Sequence, residues 1–246
     1  MSRPFLTAEW RWLAMLNYGI DPSILTPHVP ANLELDTWNG TALITLLGMM
    51  FYDARVLRVG VPFHRDFEEV NLRFYVRRNA DDGVRRGVVF IKELVPRRAI
   101  AAVARWVYGE RYESVPMRHD TNVYAAINGG PGHATYEFWA GERWNGLGVR
   151  VEGRPEMPDD QSQETFVKEH YWGYVAQPGG STLEYRVEHP PWRIWRATAS
   201  HLDCDVAALY GAEFAEALSG PPASAFLAEG SAVSIHRGIP VGGQPD

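Results

Sequence analysis

The chain has 246 residues, 46% of them hydrophobic and 22% charged, with a formal net charge of −6. That is enough chain to bury a sizeable core, its composition is unlike that of a disordered segment, and the acidic balance excludes the broad basic surface that a nucleic-acid partner requires. Nine Trp, 23 Gly and 17 Pro favour many short strands joined by tight turns over a helical bundle.

Cys204 is the single cysteine, so no intrachain disulfide can form. Residues 1–12 lack the apolar core of a signal peptide, and the longest apolar run, 42–51, is too short to span a bilayer. The expectation is a cytoplasmic protein with neither a membrane nor a nucleic-acid partner. Arg-Arg pairs at 77–78, 85–86 and 97–98 read as solvated charge beside turns or a helix start. Residues 1–237 read as one domain and the Gly- and Pro-rich stretch 238–246 as a disordered tail.

In chain order, a first strand is expected over 9–18, where Trp10, Trp12, Ala14 and Leu16 alternate with their neighbours. Asp21-Pro22 can start a short helical turn, because Asp caps and Pro fits the first helical position. Asn39-Gly40 supplies the positive φ angles of a tight hairpin between 33–36 and 41–52. The clearest segment is 69–78. Val70, Leu72, Phe74 and Val76 fall on one face, and Glu69, Asn71, Arg73, Tyr75 and Arg77 on the other. Asp81-Asp82-Gly83 turns the chain into a partner strand over 87–95. Residues 98–109 carry Ile100, Val103, Ala104, Val107 and Tyr108 at helical spacing, with Gly109 as terminator. Strands are expected at 121–128, 133–140, 146–153 and 182–188. One helix is expected from Asp160 or Ser162 to about Tyr171, another over 205–218, and a last strand over 231–237. Many antiparallel strands with a few inserted helices make a mainly β or α+β barrel or sandwich.

Three groups could carry chemistry. Glu69, Asn71, Arg73 and Tyr75 line up an acid, an amide, a cation and a phenol. On an open sheet such a face meets water, at odds of about two in three; in a large barrel it can instead line the interior. The preceding loop, which includes His64, sets His, Arg and acids among aromatics next to a scaffold strand. The second group is Lys92 with Glu93, in a strand whose two faces are otherwise apolar. If both faces are covered, one of the two charges is forced inward. A desolvated lysine there would be a nucleophile able to form a Schiff base with a ketone. A lysine that snorkels to a surface carboxylate is the commoner outcome, about three to one. The chain has only one other lysine, Lys168. The third group, His201 to Cys204 with Asp205, has no second Cys or His at zinc spacing, and its aspartates fit helix caps. No metal and no cofactor is expected. Aromatics are dense at 166–174 and 189–195, where His170 and His189 have no assigned role.

The run from Pro62-Phe63-His64-Arg65-Asp66-Phe67-Glu68-Glu69 through Tyr75-Val76, together with Gly87-Val88-Val89-Phe90, Glu169-His170-Tyr171-Trp172-Gly173-Tyr174 and Leu227-Ala228-Glu229-Gly230-Ser231, resembles the YqjF-like family of uncharacterised bacterial proteins. The resemblance runs from about Leu6 to Arg237. It implies a fold similar to acetoacetate decarboxylase, an antiparallel β-barrel or cone enclosing a pocket, with a few peripheral helices. In that enzyme group a glutamate after an aromatic-rich stretch lines the pocket and a downstream lysine forms the Schiff base. The resemblance therefore points to Glu69 and Lys92 as candidate catalytic groups, although Glu93 follows Lys92 where those enzymes carry a second lysine. Arg73, Asn71, Tyr75 and His64 are the candidate substrate-binding residues. The resulting expectation is a pocket for a small organic carboxylate or carbonyl compound. A non-catalytic binding protein is the alternative, and association of copies of the chain stays open.

Overall fold

The computed structural model describes residues 3–241. Seven strands form a ring. In spatial order they are Ser224–Ile235, Leu6–Ile20, Thr41–Val56, Phe67–Ala80, Gly83–Val95, Trp172–Ala176 and Thr182–Glu188. The ring closes where Val187 and Glu188 pair with Ile235 and Ser234. Neighbours are antiparallel except Gly83–Val95 with Trp172–Ala176, which run parallel. The result is a mostly β, cone-like fold with few helices.

Two devices close the ring. At the parallel junction, a Cβ on Gly87 would lie 2.5 Å from the Trp172 carbonyl oxygen, so only glycine lets the backbones approach this closely. On the next strand of the ring, the fully buried Glu184 is gripped by Arg78 at 2.7 Å and by Arg85. Arg86 holds the buried Asp36 at 2.6 Å in the same way. The arginines at 78, 85 and 86 are therefore clamps on buried carboxylates rather than the solvated charge expected of them; Arg77 does sit at the surface, 3.2 Å from Glu34. Gly87→Ala is expected to cost about 1–3 kcal/mol of overpacking strain. By differential scanning fluorimetry that should read as a midpoint lower by about 3–10 °C.

A second sheet of four strands covers one face of the ring: Met117–Thr121, Gly132–Ala140, Arg143–Val151 and Ala199–Asp203. Between the sheets lies the main core, where Val70, Leu72, Phe74 and Val76 meet Tyr136, Phe138, Leu147 and Val149. A separate apolar cluster fills part of the ring interior, including Met15, Leu47, Phe67 and Phe226.

Several expectations are corrected. The stretch 121–128 is not a strand: the strand ends at Thr121 and Tyr124–Ile127 is helical. The helix expected over 205–218 is two short turns, Val206–Leu209 and Ala212–Ala215, because Gly211 between them adopts φ 129°. The strand expected over 231–237 begins at Ser224, ends at Ile235 and is not the last. Of the stretch assigned to a disordered tail, Ile239–Val241 pairs with Thr182–Glu184, and 242–246 lie outside the described residues. Among the described residues, no helix is long and apolar enough to cross a membrane.

Candidate functional site

Ring closure decides where the polar strand face looks. With the second sheet on its apolar side and the ring closed on the other, the strand Phe67–Ala80 is covered on both faces over its first ten residues. Glu69 is 3% exposed and Asn71 2%. The solvated reading that periodicity favoured is overturned. Glu69, Asn71 and Arg73 line an interior chamber of about 70 Å³, several times the space one water needs.

The partner strand contributes through a β-bulge. Leu72 pairs with Lys92 but Arg73 pairs with Phe90, so Ile91 is an extra residue and the alternation of faces inverts there. Val88 and Phe90 point inward before the bulge, and Glu93 does so after it. Lys92 is turned to the opposite face. It keeps partial exposure and pairs with Glu113 at 3.2 Å. One charge of the pair was forced inward, and it is Glu93, not Lys92; the lysine that lines the chamber is Lys168, 4% exposed and ion-paired with Glu169.

The two remaining expected residues lie elsewhere. The Tyr75 hydroxyl contacts Thr45 at 2.6 Å, and since Thr45 donates to Asn17 at 2.7 Å, Tyr75 donates to Thr45. Its ring packs behind His170, 4.7 Å between centroids, and does not reach the chamber. His64 sits in the loop before the strand, its Nδ1 2.9 Å from the Pro62 carbonyl, on the wall of a second, outer chamber.

Three buried carboxyls stand together. Asn71 donates to Glu69 at 2.9 Å and the Tyr112 hydroxyl donates to it at 3.0 Å. Tyr185 donates to Glu110 at 2.8 Å. Burial disfavours the charged form and pushes Glu69 up to about 7, despite these hydrogen bonds and the nearby Arg73 charge. Burial, then repulsion from Glu110 and Glu69, drives Glu93 well above the usual carboxylate range. Glu110 is pushed up to about 8, again chiefly by burial. A carboxyl that titrates near 7 can both give and take a proton under ordinary conditions.

Two histidines missed by sequence reasoning complete the wall. His170 Nε2 lies 3.2 Å from Asp36, whose charge is secured: burial would raise it, but hydrogen bonds from His170 and Arg86 outweigh that and hold it at about 2. Burial keeps His170 below its ordinary pKa, so the ring is neutral. Asp36 then fixes the proton on Nε2 and leaves Nδ1 as an acceptor. His189 stacks on Trp192 at 3.9 Å and is also depressed by burial.

Among the described residues, five side chains of this wall each carry a buried atom with no hydrogen-bond partner: Trp10 Nε1, Asn71 Oδ1, Arg73 Nε, Glu93 Oε2 and His170 Nδ1. Buried polar groups are nearly always paired, so such a convergence marks a place where a ligand or water completes them. Sequence carried one signal for Glu93, the two-faced apolar strand around it. For Lys168 it offered only membership of a two-lysine chain and for His170 an aromatic-dense segment; neither these nor Trp10 could be placed at the chamber, because they come from segments far apart in the chain.

The His201 to Cys204 group belongs to the edge strand of the second sheet. Among the described residues, no group of three or more His, Cys, Asp or Glu is placed to hold a metal ion. Burial pushes the Cys204 thiol up to about 12, which leaves it unreactive, and Asp205 caps the following turn by accepting from the Ala208 amide at 3.1 Å.

A family model described as DUF2071, an uncharacterized conserved protein, matches residues 7–232. Over 77 residues the chain is 42% identical to the uncharacterized protein YqjF of Bacillus subtilis (strain 168), a match that spans 30% of this chain and 31% of that protein. Three solved structures share the fold. The enduracididine biosynthesis enzyme MppR, complexed with pyruvate, superposes with a TM-score of 0.69 at 14% identity, covering 98% of this chain and 91% of that one. Acetoacetate decarboxylase from Legionella pneumophila gives 0.67 at 13% identity, covering 98% and 88%. An acetoacetate decarboxylase-like enzyme from Sphingomonas wittichii RW1 gives 0.66 at 13% identity, covering 99% and 95%.

Proposed function

Starting from a chain that belongs to the DUF2071 family, we propose that the inner chamber binds a small organic acid bearing a carbonyl group. The observation that carries this is that five of the residues lining one small chamber each carry a buried polar atom with no hydrogen-bond partner. Arg73 Nε and Trp10 Nε1 are donors suited to a carboxylate; Asn71 Oδ1 and His170 Nδ1 are acceptors for a hydroxyl or a water. Glu69, titrating near 7, is placed to move a proton at the carbon next to the carbonyl. The pyruvate complex of MppR, which has the same fold, supports an oxo acid as the ligand class.

Trp10, Trp172 and Trp192 line the chamber, so intrinsic fluorescence is the natural readout. Pyruvate and acetoacetate should perturb it saturably and propylamine should not. No response to any small carboxylate at about 10 mM, where even a millimolar site would fill, would sink the proposal.

The placement of Lys168 favours a second reading, in which bound ketone becomes a Schiff base. The amine adds to the carbonyl carbon, water leaves, and borohydride then delivers hydride to the imine carbon to fix a secondary amine. With pyruvate, a mass adduct lost in Lys168→Ala and retained in Lys92→Ala supports that chemistry at Lys168. Binding without an adduct at either lysine refutes the Schiff-base reading and leaves the binding site standing.

A further inference from the structure

The chamber does not end at its carboxyls. Phe51, Glu69, Glu93, Tyr112, Tyr185 and Ile235 also wall the outer chamber, which measures about 170 Å³. It opens between the helix Arg98–Tyr108 and the loop 57–66, and beyond the shared partition its character changes. Ile100, Val103 and Ala104 face it from the helix, and Val59 and Val61 from the loop. Among the described residues, no lysine or arginine lines it.

The helix stripe gives the strongest indication. Ile100, Val103 and Ala104 sit at i, i+3 and i+4, the spacing of a face that packs on a core. That is how the sequence reads, yet of this helix only Ala101 and Tyr108 are buried. The rest of the stripe borders open space, with Val103 41% exposed, facing Val61 at 51% and Val59 at 65%. Apolar side chains gathered around a concavity are the usual lining of a small-molecule site, with polar groups reserved for orientation at one end. Here the polar end is the inner chamber.

We propose that the outer chamber receives the apolar arm of the ligand whose polar head occupies the inner chamber, so that the ligand is an amphiphilic oxo acid with a chain of several carbons. This rests on the reading of the inner chamber given above. Burial biases the two partition carboxyls, Glu69 and Glu93, toward their protonated forms, so a passing hydrocarbon chain does not meet two negative charges.

The test is a homologous series of straight-chain 2-oxo acids, from pyruvate to 2-oxooctanoate, titrated against the full chain by tryptophan fluorescence and calorimetry. Affinity should rise about fourfold for each added methylene until the chamber fills, as apolar burial dictates. Val103→Trp, a substitution at a partly exposed rim position, should remove that dependence on length. Affinity that is flat with length while Arg73→Met still weakens every member would overturn the apolar arm and leave the head site standing. Binding of 2-octanone that Val103→Trp abolishes and Arg73→Met leaves alone would keep the outer chamber and refute the head site. A concentration-dependent dimer that Val61→Asp dissociates, with no length dependence, would give these valines to a second copy of the chain and refute the proposal.

Discussion

Arg73→Met is expected to weaken binding of pyruvate by thirtyfold or more, measured by fluorescence titration or calorimetry. Among the described residues Arg73 is the one arginine on the chamber wall, and its Nε is buried without a partner. Truncating one member of a buried, hydrogen-bonded charge pair costs about 2–5 kcal/mol, which is a factor of roughly thirty to several thousand in affinity. Methionine keeps most of the length of the side chain, so the change is in charge and donors more than in volume. The same substitution removes the positive charge that holds Glu69 down, so the Glu69 ionisation should move further above 7. The two readouts separate a ligand contact from a packing role. A purely structural arginine would lower the melting point without changing pyruvate affinity in the protein that remains folded, and that result would remove Arg73 from the site.

What the sequence disclosed was local. The two-residue period over 69–78, the Asn39-Gly40 turn, the Asp21 cap and the Gly109 stop all depend on neighbours within a few positions. Each appears in the structure: Asn39 and Gly40 at φ 49° and 80°, Asp21 accepting from the Ser23 amide, and Gly109 in the left-handed region, although the turn joins Thr37–Trp38 rather than 33–36 to Thr41–Val56, and Glu34–Leu35 pairs instead with Phe67–Ala80. The direction of the polar face is a different kind of fact. It depends on Val187 pairing with Ile235 and Gly87 with Trp172, contacts between segments that periodicity cannot connect. Lys92 and Glu93 show the limit most sharply. Perfect alternation put Lys92 on the face of Val88 and Phe90, and one extra residue, Ile91, exchanged it for Glu93. A bulge leaves no mark in composition, so the residue that enters the chamber could be narrowed to two and no further. Glu69, Asn71 and Arg73 were within reach because they share one strand face. His170 and Lys168 were visible as residue types but not as members of this wall, because the short helix Gln163–Lys168 is carried to the same chamber only by the closed ring.

The second large effect is on stability, through the buried carboxyls. A group whose pKa is raised by folding binds its proton more tightly in the folded chain. Its contribution is fully present below the unfolded value of 4.5 and is lost as pH rises through the folded value, about 7 for Glu69 and about 8 for Glu110. The window is therefore pH 4.5 to about 8, and across it these groups make the protein less stable as pH rises. His170 and His189, depressed by burial, act in the opposite sense: they cost stability as pH falls through the ordinary histidine range. Asp36, held at about 2, does not change its charge anywhere in that window. A comparison of wild type with Glu69→Gln isolates the one carboxyl from these opposing groups. Glutamine mimics the protonated acid: its carbonyl can accept from Tyr112, and its amide can donate to Asn71 Oδ1 once the Asn71 amide turns over. At pH 5 the two proteins should melt at similar temperatures. At pH 8 the variant should be the more stable by on the order of 3 kcal/mol, the value of a shift from 4.5 to about 7 at 1.36 kcal/mol per pH unit. For a chain of this length that is about 6–12 °C in melting temperature. Scanning calorimetry at half-unit steps from pH 5 to 9 resolves a difference of that size. Equal slopes for the two proteins would show that Glu69 is ionised throughout and would remove it as a proton carrier, whereas a slope that flattens in the variant ties the protonation of Glu69 to the closed, dry interior that ring closure creates.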